Sequence, residues 1–148
     1  MHNAENLMYV VKPEPETLVT QQQVFAAQRQ VLDLHMAPAL QEYIVQLVLA
    51  TRNAGQWDEE LGRLVSYGAS PRATIGLDRC ARARAWIDGR DFASPDDIHA
   101  VIHEVMRHRV LLSYEAEADG VTVDELVNRL LDQQTHSLDM GYGKKANK

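Results

Sequence analysis

A cation placed where a helix should begin is the most suggestive chemical feature of this sequence. Ser70-Pro71 reads as a capping residue followed by proline at the first helical position, and Arg72 comes next. The positive end of a helix dipole disfavours another positive charge by roughly 0.3–1 kcal/mol, so an anion close to Arg72 would resolve the conflict. Free backbone N–H groups of that first turn could share the anion, which makes Ser70, Pro71 and Arg72 half of a phosphate site. A solvated arginine, or one paired with Asp58 or Asp139, accounts for the same local pattern.

Three other groupings invite a chemical reading. His99 and His103 stand four residues apart and could present two zinc ligands on one helix face, with His108 or Glu104 as a third. Such pairs, without cysteines or a second matched motif, are more commonly surface or interface residues, so no metal is expected here. Glu115, Glu117 and Asp119 alternate before Gly120 like the opening of a calcium loop, but the twelfth position is Leu126 where a bidentate Glu is needed, and a solvated acidic loop is expected instead. Cys80, among Leu77, Ala81 and Ala83, reads as a small core or near-core residue.

What is missing narrows the chemistry. The Gly143-Lys144 pair lacks the upstream glycine of a phosphate loop and is followed by Lys145 where Ser or Thr is required. No apolar strand ends in paired carboxylates, and there is no nucleophile elbow. Hydrolysis by this chain alone is not expected.

The elements that position these residues are read from caps and periodicity. Residues 1–19 hold two prolines and the short apolar group Leu7 to Val11, and read as a lead-in that folds back on the body or links to it. Thr20 and Gln23 form a capping box, and Val24, Ala27, Val31 and Leu34 give a helix over about 21–34. Pro38 opens a second helix to about Asn53, with Leu40, Ile44, Leu47 and Val48 on one face. Gln56 to Tyr67 is compatible with a helical turn or a structured loop. Pro71 starts a third helix that Gly89 stops near Asp88, and Ser94-Pro95-Asp96-Asp97 starts a fourth that ends near Arg107. Val110 to Ser113 could be a short extended segment. Thr122 and Glu125 cap a fifth helix over about 123–133, with a polar tail, 136–148, expected to fray after Ser137. The fold class is therefore all-α, a bundle of about five helices over 20–135.

Composition agrees with one globular domain: 148 residues, 45% hydrophobic and 24% charged. The net charge of -6 argues against a nucleic-acid partner, a single cysteine argues against a disulfide framework, and the most apolar stretch, Tyr43 to Ala50, is too short to span a membrane. These features favour the cytoplasm.

The string Tyr67-Gly68-Ala69-Ser70-Pro71-Arg72-Ala73 resembles the signature that opens the sensor-two helix in the lid of MoxR AAA+ ATPases. Tyr43 to Val48, Ala50-Thr51-Arg52, Gly89 to Asp97 and Arg107 to Glu117 resemble that family in the same order, over about residues 20–133. The resemblance implies the C-terminal lid of an ATP-driven remodelling enzyme, with Arg72 as the sensor-two arginine reaching the γ-phosphate and Ser70 and Pro71 setting the helix start. It implies ATP and Mg²⁺ in the full-length parent, with no cofactor for this segment alone. The implied partners are its own AAA+ core, neighbouring subunits of a ring, and a client protein, often one with a von Willebrand factor A domain. The resemblance gives Arg52 and the Arg107-His108-Arg109 group packing or interface roles, and Asn53 to Tyr67 departs from the family by its length. The phosphate loop, magnesium-binding acids, sensor-one residue and arginine finger of the family belong to a core not found in this sequence.

Overall fold

The computed structural model describes residues 17–142. Of the expected lead-in and tail, residues 1–16 and 143–148 lie outside the described part. Five longer helices carry the architecture: α1 (Gln21–Asp33), α2 (Pro38–Arg52), α5 (Arg72–Ile87), α6 (Pro95–Met106) and α8 (Val123–Tyr142). Between α2 and α5 the chain forms α3 (Ala54–Trp57), α4 (Glu59–Leu64) and strand β1 (Val65–Tyr67). Between α6 and α8 it forms β2 (Leu111–Leu112) and α7 (Tyr114–Ala118). The apolar segment at 110–113 thus becomes an edge that pairs antiparallel with β1, with Val65 opposite Leu112.

The boundaries follow local chemistry. Thr20 and Gln23 close a reciprocal box at α1, and Thr122 and Glu125 do so at α8, with the Thr122 N–H 2.8 Å from the Glu125 carboxylate. At α6 the Asp97 carboxylate accepts from both the N–H and the hydroxyl of Ser94, at 2.8 and 3.0 Å. Gly89, at φ +73, ends α5 in the left-handed region that only glycine enters without strain.

The core lies where α2, α5, α6 and α8 meet. Ala73, Leu77, Ala81 and Ala85 recur every fourth residue on α5 and are fully buried, so small side chains let α6 approach closely and seat Ile98, Ile102 and Met106. Leu126, Val127 and Leu130 of α8 and Ile44, Leu47 and Val48 of α2 complete it.

Helix α1 forms where the sequence predicts it, while the end of α8 and the place of Cys80 need correction. The apolar pattern of α1 is real, but no residue of that helix is buried. Val24 and Leu32 line an open groove of about 880 Å³ together with Leu18, Trp86 and Ile87, because the described chain places nothing over that face. Helix α8 continues to Tyr142 instead of ending near 133, since neither proline nor glycine interrupts it before Gly141. Cys80 is exposed, because the four-residue spacing of the buried alanines turns position 80 outward.

One ion pair anchors the α5–α6 corner. Asp97, only 3% exposed, receives Arg90 at 2.5 and 2.8 Å, and this contact holds its carboxyl down to about 2 against the opposing effect of burial. A depressed carboxylate contributes stability that is present above its unfolded value near 3.8 and is lost as pH falls through about 2. Asp97→Asn should therefore melt below the wild-type protein at pH 7 by the equivalent of about 2 kcal/mol. The gap should close between about pH 4 and pH 2. Thermal melting across that range checks it, and a gap independent of pH would show that the charge is not its source.

Candidate functional site: the start of helix α5

The turn entering α5 is clamped from behind by the end of α2. Thr51, buried at the last turn of that helix, donates its hydroxyl to the Val48 carbonyl at 2.7 Å and accepts the Ala69 N–H at 2.9 Å. Arg52 donates to the Ala69 carbonyl at 3.3 Å. Ala69 is fully buried, and Gly68 lies so close to α2 that a Cβ there would fall 2.4 Å from the Thr51 carbonyl oxygen. The Ala-Thr-Arg segment and the Gly-Ala-Ser-Pro-Arg segment are thus one structural unit, and Arg52 has a positioning role.

Arg72 leads out of this clamp as the first residue of α5, exposed to solvent. Among the described residues it forms no ion pair. Asp58 is engaged elsewhere, capping Glu60 and accepting from Gln133, while the side chain of Asp139 lies outside the described part. An exposed guanidinium at the positive end of a 16-residue helix suits a terminal phosphate.

Two details of the expected half-site differ. Pro71, at φ −55 and ψ −20, takes the capping position and the Ser70 hydroxyl makes no capping bond. The Ala73 and Thr74 N–H groups are already used, donating to the Ser70 carbonyl at 2.8 Å and the Pro71 carbonyl at 3.1 Å. Because the first turn satisfies these donors internally, anion binding here depends on side chains more than on the backbone.

The other sequence candidates separate in space. His99 Nε2 meets the Tyr43 hydroxyl at 2.8 Å, whereas His103 Nε2 meets Asn128 at 2.8 Å, so the two rings serve different interfaces of α6. Burial raises the Tyr43 pKa above its ordinary value. The acidic stretch is not a loop: Tyr114–Ala118 is α7, and Gly120 at φ +75 ends it while the Val121 N–H bonds the Ala116 carbonyl. Helical spacing turns Glu115 and Glu117 to different sides, so their alternation does not converge on a cation. Arg107 grips Asp124 at 2.8 and 3.0 Å and ties α6 to the start of α8, a packing role that lowers the Asp124 pKa. In the sequence Thr51 and Gly68 stand out only as members of family-like strings, and the clamp they form is not legible there.

The fold and the α5 clamp define an AAA lid domain, the family that residues 62–130 match. The chain belongs to the lids of the MoxR family of AAA+ ATPases. It is 34% identical over 125 residues to the chaperone MoxR1 of Mycobacterium tuberculosis, covering 84% of this chain and 33% of that protein. Against the MoxR protein of Methylorubrum extorquens it is 48% identical over 94 residues, covering 59% of this chain and 27% of the relative. A solved structure of a Cytophaga hutchinsonii protein, assigned provisionally as an ATPase, is similar over 76% of this chain and 34% of its own, with a TM-score of 0.73 and 34% identity. The chain thus spans about a third of the length of the relatives it matches.

Proposed function

We propose that this domain is the nucleotide-sensing lid of a MoxR-type chaperone ATPase, with Arg72 as its sensor-two arginine. The observation that carries this reading is the geometry of Arg72: an exposed cation without an ion-pair partner among the described residues, on a helix start clamped by Thr51 and Gly68. ATP held with Mg²⁺ by the parent's own AAA+ core would supply the γ-phosphate, the negative charge that Arg72 lacks here. Ser70 and Pro71 set the direction in which Arg72 leaves the clamp. A tie between core and lid that exists only in one nucleotide state shifts the balance between open and closed arrangements. The fully packed contact of α5 with α6 makes the lid swing as a body and pass that movement to neighbouring subunits. The client would be another protein, such as one with a von Willebrand factor A domain.

A stand-alone helical interaction module is the second reading, and the apolar groove between α1 and α5, left open by the described residues, is what favours it. ATP turnover separates the two. The complete parent should hydrolyse ATP, a parent deleted for residues 17–142 should lose most of that activity, and the present chain alone should show none. A deletion that leaves turnover intact would remove the lid from the nucleotide cycle.

A further inference from the structure

We infer that the groove between α1 and α5 is the seat of a segment of this same chain, the apolar group Leu7 to Val11, which crosses it as a strap. The inference is independent of the role of Arg72.

The groove is an apolar face that the described residues leave open. Leu18 and Val19 before α1 are 80% and 66% exposed, Ile87 at the end of α5 is 73% exposed, and Val24, Leu32 and Trp86 line the same groove. A volume of about 880 Å³ with such walls marks a place where something apolar docks. The walls are tied to each other. The Trp86 indole N–H donates to Gln30 at 2.9 Å, and Arg82 donates to the Leu32 carbonyl at 3.4 Å. A higher position on α5 thus meets a lower one on α1, so the two helices run antiparallel and the groove follows both. From Val24 to Leu32, at the rise of a helix, it is about 12 Å long.

The point at which the chain enters identifies the occupant. Thr17, the first described residue, is itself part of the lining, so the residues before it emerge at the rim of the groove. Their one apolar run is Leu7-Met8-Tyr9-Val10-Val11, which extended measures about 13 Å from first to last Cα and so matches the groove. Residues 12–16 span at most about 18 Å, which brings every point of the groove within reach of that run. Pro13 and Pro15 restrict this connection before docking and lower the entropy lost on docking. Charge agrees with length. Arg79 is the one charged side chain among the lining residues and forms no ion pair among the described residues, while the lead-in brings Glu5, Glu14 and Glu16 against a single Lys12. A segment tethered at the rim also docks at high effective concentration, ahead of a second copy or a free partner.

The test uses the whole chain. Val10→Ser together with Val11→Ser removes apolar surface from both faces of the run, and Ile87→Gln alters the groove wall at a residue that the described chain leaves exposed. Each variant should melt about 3–8 °C below the wild-type protein and bind severalfold more of a dye that reports exposed apolar surface. Combined, the substitutions should lower the melting temperature by less than the sum of the two shifts, because they remove one shared interface. The wild-type chain should be monomeric by light scattering. Wild-type melting and dye binding in the paired serine variant would overturn the inference, since the run would then not lie in the groove. Fully additive shifts would overturn it too, by showing that the run packs elsewhere. A wild-type dimer that Ile87→Gln dissociates and the serine pair does not would give the groove to a second copy of the chain.

Discussion

Gly68→Ala is expected to destabilise the lid by about 2–4 kcal/mol, lowering its melting temperature by about 5–15 °C. The added Cβ would meet the Thr51 carbonyl oxygen at 2.4 Å, its carbonyl carbon at 2.5 Å and the Arg52 Cα at 2.6 Å. All three are backbone atoms of α2, so no side chain can rotate aside. Relief requires the turn to move away, which stretches the buried bond from the Ala69 N–H to Thr51 and adds the cost of an unsatisfied donor to that of overpacking. Gly89→Ala is the contrast: a Cβ there meets nothing within 4 Å, so its cost is that of a positive φ alone, about 1 kcal/mol. Should Gly68→Ala melt within a degree or two of the wild-type protein, the clamp behind Arg72 would not be the fixed structure described above.

The contrast between these two glycines also marks what sequence could and could not reveal. Gly89 was legible because helix stops are local: the residue that ends α5 announces itself within one turn. The boxes at Thr20 and Thr122 and the Ser-Pro start at Ser94 were legible for the same reason, and with them the five long helices and the all-α class. Gly68 was readable only as part of a family-like string, since its close approach to Thr51 joins residues 17 positions apart. Periodicity correctly gave α1 an apolar face but could not say that nothing in the described chain would cover it. In α7 a helix of 5 residues was too short for its period to declare itself, and alternating acids suggested a loop. At the site, sequence placed Arg72 at the helix start, whereas the use of the first-turn N–H groups within the turn needed coordinates.

Arg72→Ala should divide function from fold. In a complete parent carrying this lid, ATP turnover should fall by about 10²-fold or more, because a charge-assisted contact to phosphoryl oxygens is worth several kcal/mol where charge develops in the transition state. The lid itself should keep its stability within a few tenths of a kcal/mol. Arg72 forms no ion pair among the described residues, its removal relieves a cation at the positive end of α5, and alanine is a good helix former. Arg52→Ala makes a useful partner variant, since losing its bond to the Ala69 carbonyl should act on turnover only through the clamp and so lower stability as well.

The central claim is therefore tested most directly by steady-state ATP turnover of the complete parent with and without Arg72→Ala, the isolated lid being melted alongside. Strongly reduced turnover over an unchanged melting temperature is the predicted result. Wild-type turnover in the variant would remove Arg72 from the nucleotide site and contradict the account.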